Sequence, residues 1–123
     1  MTGNIHPSAT VSETASVHPG SYIDKGARVR EGAIVREGAY IGDGAVVGKR
    51  AYLGKGAHVA ARALVDEGAL VCKGAWLGER AMVLKDAWVD ARAVVGDGAW
   101  VGAGAYVPKM ARVARGRAVC WWQ

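Results

Sequence analysis

The chain has 123 residues, enough for one domain, and no Pro-rich or Ser-rich linker divides it. Its 16 Lys and Arg residues outnumber its 11 Asp and Glu residues, but bases and acids are interspersed along most of the chain, which argues against a nucleic acid partner. No apolar run could span a membrane and no signal peptide begins the chain, so we expect a cytoplasmic protein without a membrane partner.

The sequence repeats every six residues. A branched aliphatic residue recurs at each sixth position from Ile5 to Val119, and Ala stands two positions earlier in 17 of 19 hexads. Six helical residues would advance by about 600° and scatter these aliphatics, so a helix is excluded. In a strand the same pattern alternates inward and outward and leaves two residues for a corner. The repeat therefore predicts an all-β parallel solenoid with coils about 4.8 Å apart.

Three parts follow one another along the predicted solenoid. Residues 5–22 form an N-terminal capping coil, because Ser and Thr replace corner glycines there and two prolines cannot donate to a ladder. Residues 23–106 form regular hexapeptide coils. Residues 107–123 form a divergent C-terminal coil, which we expect Trp121 and Trp122 to cap. All three parts belong to a single domain covering residues 1–123.

The hexads Val29 to Ile34 (VREGAI) and Val95 to Trp100 (VGDGAW) carry a family resemblance. The pattern resembles the hexapeptide-repeat left-handed β-helix of bacterial acyltransferases and γ-class carbonic anhydrases. The resemblance implies a triangular cross-section, left-handed winding, three hexads in each coil of eighteen residues, and about six coils. The uninterrupted repeat and near-constant Ala fit either an idealised, engineered solenoid or a natural scaffold freed from catalysis.

Outward side chains fall into vertical columns in such a coil, and three columns are apolar. Bulky apolar groups on several faces favour association between copies over a soluble monomer. The resemblance implies a homotrimer, and unpaired strands at the ends of the solenoid leave end-to-end fibres as an alternative. The candidate association surface consists of Tyr40, Tyr52, Leu70, Trp76, Met82, Trp88, Trp100 and Tyr106.

The function predicted from these residues is structural: a non-catalytic scaffold that self-associates through flat apolar faces, with no cofactor and no enzymatic activity. No loop interrupts the coil to shape a pocket. The alternative, implied by the resemblance, is a minimal acyltransferase that uses acyl-coenzyme A at a trimer interface. In that alternative His58, placed between Tyr40 and Trp76, or His18 would be the general base.

We expect no metal site. A γ-class carbonic anhydrase needs three converging histidines, whereas His6, His18 and His58 fall in different columns and distant coils. Cys72 and Cys120 lie more than two coils apart, too far for a disulfide, and are expected to be free thiols.

Overall fold

The computed structural model describes residues 4–120 as a continuous β-solenoid. Each hexad contributes one two-residue strand, and within residues 4–120 there is no helix and so no apolar helix that could cross a membrane. The strands are β1 (Asn4–Ile5), β2 (Thr10–Val11), β3 (Ser16–Val17), β4 (Tyr22–Ile23), β5 (Arg28–Val29), β6 (Ile34–Val35), β7 (Tyr40–Ile41), β8 (Val46–Val47), β9 (Tyr52–Leu53), β10 (His58–Val59), β11 (Leu64–Val65), β12 (Leu70–Val71), β13 (Trp76–Leu77), β14 (Met82–Val83), β15 (Trp88–Val89), β16 (Val94–Val95), β17 (Trp100–Val101), β18 (Tyr106–Val107), β19 (Arg112–Val113) and β20 (Ala118–Val119).

Each strand from β1 to β17 pairs in parallel with the strand three places later in the chain. Three sheets result, and each contains every third strand of the chain. Face A has seven strands, starting at β1 and ending at β19; face B has seven, from β2 to β20; and face C has six, from β3 to β18. The register places Tyr22 beside Tyr40 and Ile23 beside Ile41, a step of eighteen residues. The predicted left-handed, three-sided coil of eighteen residues, repeated about six times, is confirmed.

The interior is filled by the two inward residues of each hexad. From Ile23 to Val107 every aliphatic residue of the repeat is at most 1% exposed, and so is every inward Ala from Ala27 to Ala105. Burying one such Val or Leu side chain contributes about 1.5 to 3 kcal/mol. Ser21 is the buried polar exception, and its hydroxyl donates to the His18 carbonyl at 2.6 Å. The core thus leaves chemistry to outward side chains only.

Two kinds of glycine shape the corners. Gly56 has a φ of +68°, and a Cβ there would meet nothing within 4 Å. Gly54, directly after its strand, is different: a Cβ would lie 2.6 Å from the backbone nitrogen of Lys73 on the next coil. Glycine is therefore required for conformation at the first position and for space at the second. Six described residues other than glycine also have positive φ: Arg50, Arg62, Arg80, Asp86, Arg92 and Met110.

In the first coil, side-chain hydroxyls accept hydrogen bonds from backbone N–H groups at the corners of the next coil. The Ser8 hydroxyl accepts a hydrogen bond from the Gly26 backbone N–H at 3.1 Å, and Thr14 accepts one from Gly32 at the same distance. In later coils the equivalent N–H donates to a backbone carbonyl. Hydroxyl residues here replace that acceptor. The predicted division into three parts stays a prediction, and the proposed Trp121 and Trp122 cap lies outside the described residues.

Candidate functional site

Face A carries a continuous stack of rings. The ring centroids of Tyr22 and Tyr40 are 5.5 Å apart, those of Tyr40 and His58 4.8 Å, and those of His58 and Trp76 3.8 Å. Adjacent rings are within 26° of parallel, so each ring covers the face of its neighbour on the next coil. The column predicted from the eighteen-residue period is therefore present.

His58 is held inside this stack. Tyr40 covers one face of the imidazole and Trp76 the other. Its Nδ1 is buried and has no hydrogen-bond partner among the described residues. Burial lowers the pKa of His58 below its ordinary value, because the charged imidazolium loses water without gaining an acceptor. The ring is neutral near pH 7, but much of it is withheld from a substrate.

Two aromatic side chains on face C each donate a hydrogen bond to the residue sixteen positions earlier in the chain. Both acceptors lie at the corner between face C and face A. The Trp88 indole N–H donates to the Cys72 Sγ at 3.2 Å, and the Tyr106 hydroxyl donates to Asp90 Oδ2 at 2.6 Å. In both pairs an aromatic residue on one coil reaches the residue that follows the strand on the preceding coil. These contacts join the two aromatic side chains to the preceding coil.

The pKa values of Cys72 and Asp90, the two acceptors of these bonds, shift in opposite directions. The bond from Tyr106, together with the Ala91 backbone N–H, holds the pKa of the Asp90 carboxyl below its ordinary value. Burial raises the pKa of the Cys72 thiol, an effect that the Trp88 bond only partly offsets. A thiol with a raised pKa is a poor nucleophile at neutral pH. Cys72 and Cys120 are both free, as the sequence predicts.

His18 lies at the same corner, where face C turns into face A, in the first coil. Its Nε2 is 3.4 Å from the Oγ of Ser16, two residues earlier in the chain. Its Nδ1 is 3.9 Å from Oε2 of Glu37 on the following coil. One third of the His18 side chain is exposed, which leaves the imidazole accessible from solvent. A hydroxyl of the same coil and a carboxylate of the next coil therefore approach different nitrogens of the His18 ring.

The carboxylate partner is itself held in place. Arg36 Nε donates to Glu37 Oε1 at 3.2 Å, and a second Arg36 nitrogen donates to the Tyr52 hydroxyl at 3.2 Å. A hydrogen bond from its own backbone N–H, followed by the bond from Arg36, holds the pKa of the Glu37 carboxyl below its ordinary value. Glu37 thus remains a carboxylate well below neutral pH. We call Ser16, His18, Arg36 and Glu37 the His18 corner.

Two shallow depressions lie on the outside of the prism. One, of about 290 Å³, is bordered by Thr10, Arg28, Val29 and Arg30 on face B. The other, of about 250 Å³, surrounds Gly48 at the next corner. Neither depression contains a histidine. Within residues 4–120 no group of three or more His, Cys, Asp or Glu side chains is arranged to hold a metal ion.

The predicted site residues do not form one surface. His18 and His58 lie in different coils with separate surroundings. Sequence reasoning missed the partners of His18, although the Ser-x-His spacing that puts two side chains on one side of a strand was a visible signal. The association candidates divide among face A (Tyr40, Trp76), face B (Met82, Trp100) and face C (Tyr52, Leu70, Trp88, Tyr106).

No protein-family model and no curated protein matches the chain. Solved structures do. A mutant of perosamine N-acetyltransferase from Caulobacter crescentus, in complex with CoA and GDP-perosamine, is 25% identical, with a TM-score of 0.75 over 94% of this chain and 51% of that one. A hexapeptide transferase family protein from Anaplasma phagocytophilum is 19% identical, with a TM-score of 0.91 over 95% and 72%. An N-acyltransferase from Bacillus cereus bound to dTDP and coenzyme A is 11% identical, with a TM-score of 0.71 over 85% and 70%.

These matches confirm the resemblance to the hexapeptide-repeat β-helix that the sequence indicates. The chain spans about half the length of the perosamine N-acetyltransferase that it matches. The expectation that the chain is not an enzyme is contradicted, because this match is to an N-acetyltransferase in complex with CoA. The expectation equated an uninterrupted coil with an absence of reactive groups. At the His18 corner, side chains of adjacent coils meet without any loop.

Proposed function

We propose that the chain is an acyltransferase that moves an acyl group from a coenzyme A thioester to an amine, with His18 as general base. The observation that carries this proposal is the pairing of the His18 Nδ1 with the Glu37 carboxylate, 3.9 Å apart, on an exposed corner. The match to an N-acetyltransferase in complex with CoA and GDP-perosamine supports the reaction class. It also favours the amine of a nucleotide-linked sugar as the acceptor.

The reaction needs a proton acceptor beside the attacking amine. The amine nitrogen attacks the thioester carbonyl, a C–N bond forms, and the C–S bond breaks. The amine proton passes to His18 Nε2 and then to the departing thiolate sulfur. Glu37 faces the imidazole at Nδ1 and orients it, while Arg36 keeps the carboxylate ionised and in position.

His18 suits this role better than His58. A general base must offer a nitrogen to the substrate within hydrogen-bonding distance. The His58 ring is covered on both faces, its Nδ1 is sealed, and burial has already lowered its pKa. His18 keeps an exposed edge and has a carboxylate partner. We therefore assign His58 to the aromatic stack and retain His18 from the two bases that the sequence suggests.

A homotrimer of this chain is part of the proposal. Large apolar side chains are about half exposed on each face: Trp76 is 50% exposed, Trp88 44% and Trp100 51%. Such surface favours contact between prisms. A partner prism packed beside the His18 corner would also exclude water from the reacting groups.

Sedimentation tests the assembly. We expect the wild-type chain to sediment as a trimer of 12.8 kDa subunits. Trp88→Glu on face C and Trp100→Glu on face B place a charge on different faces, so each is a control for the other. The variant whose altered face lies in the subunit interface should sediment with the mass of a monomer. A wild-type chain that sediments at 12.8 kDa at working concentration would refute the trimer.

Release of free coenzyme A from acetyl-CoA, followed by chromatography across a panel of amines including nucleotide-linked amino sugars, tests the activity. Removing a general base typically costs about 10²- to 10⁴-fold, and we expect a loss of that order for His18→Asn. Glu37→Gln should lose less, because the imidazole remains. The matched control is His58→Phe, which keeps a ring in the stack and should retain the wild-type rate. Equal rates for wild type and His18→Asn would refute the proposed base.

A further inference from the structure

We infer that the corner between face B and face C, together with face B, binds a second copy of the chain in antiparallel orientation. The partner is a copy of this chain because a row of charges at that corner is complementary to itself when it is reversed. The contact goes beyond the proposed function and does not depend on it. Face B lies opposite the His18 corner, so the contact leaves that corner free.

One charged side chain on each of four successive coils stands at the tip of this corner. The four charges alternate in sign, and each follows the one before by eighteen residues. Backbone hydrogen bonds hold the coils in register here: the Arg50 N–H donates to the Glu31 carbonyl and the Gly68 N–H to the Lys49 carbonyl, both at 2.9 Å. Coils about 4.8 Å apart therefore line up these charges in one row. We call this row the charge ladder; it consists of Glu31, Lys49, Glu67 and Lys85.

The charges of the ladder are not consumed within the chain. Within residues 4–120 no ion pair joins one member of the ladder to the next, and neither Lys49 nor Lys85 forms an ion pair with any residue. The Glu31 side chain is 61% exposed. Glu67 pairs with Arg50 at 2.7 Å and is still 38% exposed. Ammonium and carboxylate groups of the ladder are thus available to another chain.

An antiparallel copy opposes every charge of the ladder with one of the other sign. Glu31 meets Lys85 of the second copy, Lys49 meets Glu67 of the second copy, and the two-fold axis repeats both pairs. A parallel copy at the same height would oppose like charges. A parallel copy shifted by one coil would form only three pairs and leave both ends open to further copies. The antiparallel arrangement therefore uses all four charges and closes the contact.

The surface at the centre of the ladder also suits a two-fold contact. The axis passes between Lys49 and Glu67, and a shallow depression of about 250 Å³ lies there. Val46 and Leu64 of face B border this depression. The depressions of the two copies face each other across the axis, so Leu64 of each copy can enter the depression of the other. This burial removes apolar surface from water beside the ion pairs.

The other two corners lack this self-complementarity. When the whole row at the corner between faces A and B is reversed, Asp43 is opposed by Glu79, which is also an acid. At the corner between faces C and A, reversal opposes a lysine, Lys55 or Lys73, to the same lysine of the second copy. Like charges directly opposite one another destabilise a contact. The inference is therefore specific to the corner that carries the ladder.

Zero-length cross-linking tests the orientation. A carbodiimide joins an amine to a carboxylate without a spacer, and we expect it to link Lys85 to Glu31. Within one chain these residues lie three coils, about 14 Å, apart, which is farther than their extended side chains reach. The link must therefore join two copies, and a mixture of isotopically labelled and unlabelled chains should give linked peptides that carry both labels. Absence of this link, while other lysine–carboxylate links form, would overturn the inference.

Exchange of charges tests the pairing. At low ionic strength the wild type should sediment with a larger mass than in about 0.5 M sodium chloride, because salt screens exposed ion pairs. Glu31→Lys and Lys85→Glu each oppose like charges when identical copies meet, so each variant alone should lose this response to salt. An equimolar mixture of the two should regain it, because a copy with basic ladder ends then meets a copy with acidic ones.

Lys73→Glu makes the same change of charge at the corner between faces C and A, and this control should keep the wild-type response to salt. A wild-type mass that is the same at both salt concentrations would overturn the inference. So would a mixture of Glu31→Lys and Lys85→Glu that sediments as each variant does alone. Release of coenzyme A is measured separately and depends on His18, so either result leaves the proposed function standing.

Discussion

Two histidines on one regular prism have opposite surroundings. His58 lies in the face A stack, where neighbouring rings cover its faces and one nitrogen has no partner. His18 lies at a corner, where a hydroxyl and a carboxylate approach its two nitrogens. On a flat face, successive coils present like side chains that stack. At a corner, the chain turns, and polar groups from adjacent coils meet end to end. The proposed base therefore lies at a corner of the prism and not on a face.

The largest effect is expected at Gly54, which lies in the corner column that also holds His18 and meets the next coil more closely than Gly56 of the same corner does. Gly54→Ala would force a Cβ to within 2.6 Å of the Lys73 nitrogen, and such overpacking should cost about 2 to 3 kcal/mol of unfolding free energy. Gly56→Ala is the control, since only its positive φ opposes a side chain, at about 1 kcal/mol. Chemical denaturation of both variants measures the difference. Equal losses would mean that the coils do not approach closely at Gly54.

A smaller effect on stability distinguishes the two histidines. His58→Ala removes a ring that stacks on two others, and we expect a loss of about 1 to 2 kcal/mol in unfolding free energy. His18→Ala should change stability by less than about 0.5 kcal/mol, because one third of its side chain is exposed and, within residues 4–120, it stacks on no ring. Thermal unfolding of both variants tests the contrast. A His18 variant as unstable as the His58 variant would show that the corner is structural.

The smallest effect is a dependence of stability on pH. The pKa of His58 is lower in the folded chain than in the unfolded chain, so the unfolded chain binds the proton first as pH falls. Stability should be complete above about pH 6.5 and should decline as the pH drops below the ordinary histidine value. His58→Phe keeps a stacked ring and should flatten this part of the profile. Its persistence in His58→Phe would assign the decline to another group.

Much of the fold follows from the spacing of residues alone. An eighteen-residue coil with parallel, in-register pairing places residue i beside residue i+18, so the column from Tyr22 to Trp76 needs no further information. The inward Ala and Val positions follow from strand alternation in the same way. Handedness does not: it entered through the family resemblance, because strand periodicity is the same for either hand.

The candidate site is less predictable for a physical reason. The contact between His18 and Glu37 spans nineteen residues and depends on how two long side chains turn at a corner. Strand periodicity specifies whether a side chain points in or out, but not its rotamer. The positive φ of Asp86 and Met110 is equally hard to predict, because neither residue type favours a left-handed conformation as Gly does. The left-handed corner conformation in this protein thus depends more on position in the repeat than on residue type.

The three-sheet register has a consequence for changes in chain length. Removing eighteen consecutive residues from the regular coils would shorten the prism by one layer and leave every later residue on its original side. Removing six would preserve the alternation of the interior, yet it would shift everything downstream by one third of a turn. Tyr40 would then lie beside a different residue on the adjacent coil, and side chains that now contact each other across coils would be separated. Viable length variants of this molecule should therefore differ by multiples of eighteen.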